Sequence, residues 1–119
     1  MWSFKRLDAW RRTRSLIVDC YKVTAEFPRS ELFGLTSQIR RASNSIGANI
    51  AEGCARYSGR DRGRFLETSI SSAYELEHHL LIASDLNLIS PAALDRLVAE
   101  LRQIRWMLEA LRLKSLNQG

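Results

Sequence analysis

The sequence predicts an all-α protein: an up-down-up-down antiparallel four-helix bundle that forms a single domain over residues 1–119. Three observations carry this. Four stretches place apolar residues at alternating steps of three and four, the spacing of one helix face. No stretch sustains the two-residue alternation of a strand. The two prolines, Pro28 and Pro91, both fall between periodic stretches. Short links between long amphipathic helices make sequence neighbours antiparallel.

The first helix is expected from about Leu7 to Glu26, with Asp8 favouring its positive end. Leu7, Trp10, Ile17, Tyr21 and Thr24 form its stripe. Phe27-Pro28 ends it, because the residue before proline avoids the α region. The second is expected from Glu31 or Leu35 to Cys54, with Ser30 a candidate N-cap. Its seam is Leu35, Ile39, Ala42, Ile46, Asn49 and Gly53, in steps of 4, 3, 4, 3 and 4. A polar, glycine-bearing link, RYSGRDRG, leads to the third helix, which ends near Asn87 and buries Leu66, Ser69, Ala73, Leu76, Leu80 and Ala83. The fourth opens with Ser90 as N-cap and Pro91 at its first position. Leu94, Leu97, Leu101, Ile104, Leu108 and Leu111 form its seam.

At 119 residues, 45% hydrophobic and 26% charged, the chain has the make-up of one soluble globular domain. Such a chain buries roughly two thirds of its unfolded surface. No apolar run approaches the ~20 residues of a membrane span. The opening MWSFKRLDAW lacks a signal-peptide core, so a cytoplasmic protein is expected. Cys20 and Cys54 fit neither a disulfide framework nor a zinc knuckle and read as reduced, half-buried thiols.

The face of the second helix opposite its seam is unusual. Ser37, Asn44, Ser45, Ala48 and Ala51 lie there, with Arg41 and Glu52 nearby. A face meant for water normally carries more long charged side chains. Small ones let another backbone approach, so this helix is expected to pack inward on its own bundle and outward on another subunit; a sparsely decorated solvent face is the alternative. Trp106 and Leu113 on the fourth helix, and Tyr74 and Leu81 on the third, also fall off the seams, as interface anchors do. Arg41 and Glu52 are too far apart to pair within one helix, so each would pair across a subunit contact or with another helix. Arg14 and Arg105 read as structural, their stems lying along apolar stripes while their charged ends reach outward.

Catalytic chemistry finds little support. Glu75 and His78 have the Glu-x-x-His spacing of carboxylate-bridged metal bundles. That site needs the motif twice, and the remaining histidine, His79, is adjacent to the first. No glycine-rich phosphate loop follows a strand, and no histidine is placed to activate a serine. No enzyme activity, cofactor or metal is expected.

The formal net charge is +5, and fifteen of the eighteen basic residues are arginine. Arg56, Arg60, Arg62 and Arg64 crowd one link beside Tyr57, while Arg11 and Arg12 add charge on the first helix. Arginines beside an aromatic suit phosphate contacts and base stacking; a solvated loop is the plainer alternative. Nothing suggests helix-turn-helix reading of a duplex. The expected partner is RNA or DNA, read with weak sequence preference. A protein-interaction scaffold without direct nucleic-acid binding is the competing expectation.

The stretch QIRRASNSIGANIAEG, followed by Arg56 and RFLETSISSAYELEHHLLIA, resembles a four-helix-bundle family of bacterial proteins encoded in intervening sequences of large-subunit ribosomal RNA genes. FPRSELFGLTSQIRRA and the opening Phe4-Lys5-Arg6-Leu7 with Trp10 extend the match over nearly the whole chain. The accessory variability proteins of diversity-generating retroelements look like relatives. The resemblance implies a ring-like homo-oligomer, a pentamer, and does not imply an enzymatic activity. For the retroelement relatives it implies a basic surface for nucleic acid and a reverse transcriptase partner. Arg40, Arg41, Asn49, Glu52 and Gly53 are signature positions without an assigned chemistry; Arg40, Arg41, Ser45, Ala48, Asn49, Glu52 and Trp106 together make the candidate subunit interface. Gly47 departs from the family pattern, which often has proline there. Five copies would carry five times +5, or +25, enough for salt-sensitive polyanion binding.

Overall fold

The structure, a computed structural model, describes residues 2–118. Four helices, α1 (Asp8–Thr24), α2 (Ser37–Cys54), α3 (Gly59–Asp85) and α4 (Pro91–Asn117), form a rod of 46 × 23 × 20 Å. Side-chain pairs fix their directions, because rising numbers on one helix meet falling numbers on the next. Tyr21 and Thr24 of α1 meet Asn44 and Arg40 of α2. Arg41 and Ser45 of α2 meet Glu75 and Ser72 of α3. Arg62 and Glu77 of α3 meet Ser115 and Arg105 of α4, and Arg12 and Asp19 of α1 meet Glu100 and Arg96 of α4. Every neighbouring pair is antiparallel, as the links between the helices predict.

The seams of α3 and α4 match the expectation closely. All six named α3 residues are buried; on α4, Leu97, Leu101, Ile104 and Leu108 are buried and Leu94 and Leu111 partly so. Ser90 caps α4, its hydroxyl accepting the Ala93 N–H at 3.1 Å. The preceding turn closes α3 by a left-handed Asn87 (φ 60°), while the Leu88 N–H bonds back to the Ala83 carbonyl at 2.9 Å. Asparagine tolerates that conformation, and the bond satisfies a carbonyl at the helix end.

α1 is rotated from its expected stripe. Its buried residues are Ala9, Thr13, Leu16, Cys20 and Thr24, whereas Tyr21 is exposed and Leu7, Trp10 and Ile17 lie at the flank. The cause is a close approach to α2: a Cβ on Gly47 would stand 3.2 Å from Ile17 Cδ1 and 3.5 Å from Thr13 Cγ2. Apart from Leu16, small residues therefore face inward. The two threonines enter the core by donating to the carbonyls four residues back, Thr13 to Ala9 and Thr24 to Cys20, each at 2.7 Å. Gly47 thus marks a packing contact within an unbroken α2.

Other boundaries move as well. α2 begins at Ser37, after short turns over Arg29–Glu31 and Leu32–Thr36, the latter broken by non-helical Gly34. Ser30 does not cap it, and no side chain does; within the preceding turn the Glu31 carboxylate accepts the Leu35 N–H at 3.1 Å. Most of the expected RYSGRDRG link belongs to α3, whose Ser58 cap accepts the Asp61 N–H at 3.0 Å. Cys20 and Cys54 are fully buried rather than half-buried, and burial pushes the Cys20 thiol up to about 12.

Candidate nucleic-acid interface

The up-down topology brings four segments to one end of the rod: the N-terminal residues, the end of α2, the start of α3 and the end of α4. The Trp2 N–H donates to the Cys54 carbonyl at 3.0 Å, and Gly63 packs beneath Leu116. Lys5 lies beside Ala51 and Ala55, and Arg6 beside Leu111 and Lys114. Residues 2–7, 52–64 and 109–118 hold eight cations against three carboxylates, those of Glu52, Asp61 and Glu109. That excess equals the whole formal charge of +5, and the rest of the chain is balanced.

The four arginines of the expected cluster have different fates. Arg60 is exposed and forms no ion pair among the described residues. Arg56 is exposed, its guanidinium lying over the Phe65 ring at 4.5 Å. Arg64 is exposed and bonds Asp61 at 2.9 Å. Arg62 is the correction. It is 3% exposed, donates to Ser115 Oγ at 2.9 Å and to Gln118, and covers the Trp2 ring at 4.0 Å. Helical spacing turns it away from its neighbours and into the bundle, where it joins the N-terminal segment to α3 and α4. It offers nothing to a phosphate. Burial pushes the nearby Cys54 thiol up, and the Arg62 charge partly opposes that shift.

Arg12 is also withdrawn from the site. Its guanidinium makes two hydrogen bonds to Glu100, at 2.7 and 3.0 Å, joining α1 to α4, and that pairing raises its pKa further. Arg11 is exposed, donating to the Lys5 carbonyl at 2.9 Å with Asp8 at 4.0 Å. Lys5, Arg6 and Lys114 complete the basic end. No local motif marks them; only the topology places them beside the arginine cluster.

The expected interface set divides too. Arg40 donates to Thr24 Oγ1 at 2.9 Å and covers the Tyr21 ring at 4.6 Å, fastening α2 to α1. Ser45 is not on the outer face: it bonds Ser72 of α3 at 2.8 Å, and Asn49 donates to the Ser45 carbonyl and hydroxyl. Arg41 bridges to Gln38 and Glu75. Ala48, Glu52 and Trp106 are exposed, Trp106 at 70%. Arg105 pairs with Glu77 at 2.7 Å and covers Tyr74 at 4.3 Å, and Arg14 lies over Trp10, the structural roles the sequence suggests.

No set of three His, Cys, Asp or Glu side chains suited to a metal comes together among the described residues. Glu75 is instead committed to Arg41 and to His79, the latter at 3.0 Å. Burial raises its pKa, but the bonds from His79 and Arg41 outweigh burial and hold it below its ordinary 4.5. A carboxyl lowered by folding contributes stability above its unfolded value and loses it as pH falls through the folded one. The Arg41–Glu75–His79 link should therefore weaken in acid below about pH 4.5. Glu75→Gln should flatten that part of the stability–pH curve, measured by urea unfolding between about pH 3 and 6; an unchanged curve would show that the link does not contribute.

A family model described as 23S rRNA-intervening sequence protein matches residues 5–110, from the basic N-terminal segment almost to the end of α4. The chain belongs to that family. The matched span includes α1, α2, α3 and most of α4, so this family member's fold and basic end fall largely within it. No curated protein matches the chain. No helix among the described residues is long and apolar enough to cross a membrane.

Proposed function

We propose that this member of the 23S rRNA-intervening sequence protein family is a non-enzymatic RNA-binding protein that acts as a homo-oligomer, with a pentamer the stoichiometry its family resemblance implies. The observation that carries RNA binding is the segregation of charge: one end holds the entire net +5, while the rest of the rod is balanced. Exposed arginines and lysines on a compact end suit a phosphate backbone and release its counterions on binding. The family's name supplies the link to ribosomal RNA. Exposed Trp106, Tyr74, Leu81 and Leu113 support self-assembly, since solvent-facing aromatics of this kind favour interfaces. The same residues favour the second reading, a scaffold for a partner protein; a partner retained after nuclease treatment in a pull-down would support it.

RNA binding is tested by fluorescence anisotropy with a labelled RNA strand across a salt series. Affinity should fall steeply between about 50 and 200 mM salt, with a log–log slope of roughly −0.7 per phosphate contacted on a single strand. No binding at the lowest salt would reject the reading. Light scattering tests assembly: a mass of 13.6 kDa at working concentration would remove the oligomer.

A further inference from the structure

We propose that the basic end takes single-stranded RNA, stacking unpaired bases on the Tyr57 ring and on the Arg56 guanidinium while Arg60 holds the intervening phosphate. This rests on the RNA-binding reading above and names the class of RNA. The three tyrosines of the chain make the case by contrast. Tyr21 lies under the Arg40 guanidinium at 4.6 Å, and its hydroxyl accepts from Asn44 at 3.0 Å. Tyr74 lies under Arg105 at 4.3 Å. Tyr57 is 85% exposed and has neither a cation nor another ring over it among the described residues. It stands in the tight turn between α2 and α3, at the end where the net charge is concentrated.

Arg56 supplies a second flat surface. Phe65 backs its guanidinium at 4.5 Å on one side, and the side chain remains exposed. Arg60, three residues beyond Tyr57, is exposed and without an ion pair among the described residues. Two π-faces adjacent in sequence, with an uncommitted cation three residues on, suit bases whose own faces are open, as in a single strand. Duplex RNA hides those faces in its stack and is recognised mostly by shape and by its backbone.

The test uses the full chain and three labelled probes of equal length in anisotropy titrations: a 20-nucleotide oligoadenylate RNA, the same backbone without bases, and an RNA duplex. The base-bearing strand should bind tightest. Tyr57→Ala should weaken that strand about 5- to 150-fold, the range of one lost stacked base, and leave the abasic strand and the duplex unchanged. Tyr57→Phe, which keeps the ring, should restore binding, and circular dichroism checks that both variants fold. If all three probes bind alike and Tyr57→Ala changes none of them, stacking is rejected while RNA binding stands. If no probe binds at about 50 mM salt, both are rejected.

Discussion

Reversing Arg56, Arg60 and Arg64 to glutamate is expected to lower RNA affinity about a thousandfold or more, since each lost hydrogen bond to a charged group removes about 1.5–3 kcal/mol. The three side chains lie exposed at the start of α3 and the turn before it, so the loss falls on the ligand rather than the core. Each reversal removes two units of charge, taking the formal net charge from +5 to −1, and long-range attraction of a polyanion reverses with it. The fold should survive. Arg64 gives up a surface pair with Asp61, of the kind that contributes about 0–1 kcal/mol, and Arg56 gives up its stacking on Phe65. Anisotropy titration reads the affinity, and urea unfolding with light scattering reads stability and assembly. Undiminished binding by a folded triple variant would move the interface away from this end, to the outer face of α2 or the flank of α1.

Much of the bundle could be read from the spacing of large apolar residues, and the departures have physical causes. The α3 and α4 seams consist mainly of leucine, isoleucine and alanine, whose burial follows directly from their period. α1 misled because its largest side chains, Trp10 and Tyr21, sit at its flank. There they serve partners that no linear pattern reveals: Phe4, edge-to-face at 5.0 Å, and Arg40. Its real core face is, apart from Leu16, built of alanine, threonine and cysteine, where Gly47 brings α2 so near. Ser30 misled at the start of α2 because it sits in the first of two short turns before Ser37, leaving its hydroxyl out of reach of that helix's free N–H groups. Of the cluster the sequence singles out, the structure leaves Arg56, Tyr57, Arg60 and Arg64 exposed. Sequence alone could not separate Arg62 from them, since four arginines close together share one composition but point to different sides once α3 starts at Gly59. Nor could it add Lys5, Arg6 and Lys114, which come from opposite ends of the chain and meet only because an even number of antiparallel helices returns both termini to the same end.

Arg62 separates a fold-supporting arginine from a ligand-binding one most sharply. Arg62→Ala should lower stability by about 3 kcal/mol, combining lost hydrogen bonds from a charged donor with a lost cation–π contact in a largely dry setting. The variant leaves Ser115 Oγ, which is fully buried, without its donor, and uncovers the Trp2 ring that ties the N-terminal segment to the bundle. Arg62→Met should recover part of the loss: its stem refills the space beside Gly53 and Trp2, and no charge has to be taken out of water. Arg60→Ala gives the opposite pattern, with stability changed by less than about 0.5 kcal/mol, as at exposed positions generally, and RNA affinity reduced. Urea midpoints and anisotropy on the same preparations read both quantities. An unchanged midpoint for Arg62→Ala together with weakened RNA binding would turn Arg62 outward, returning it to the site and leaving the N-terminal segment without its clamp.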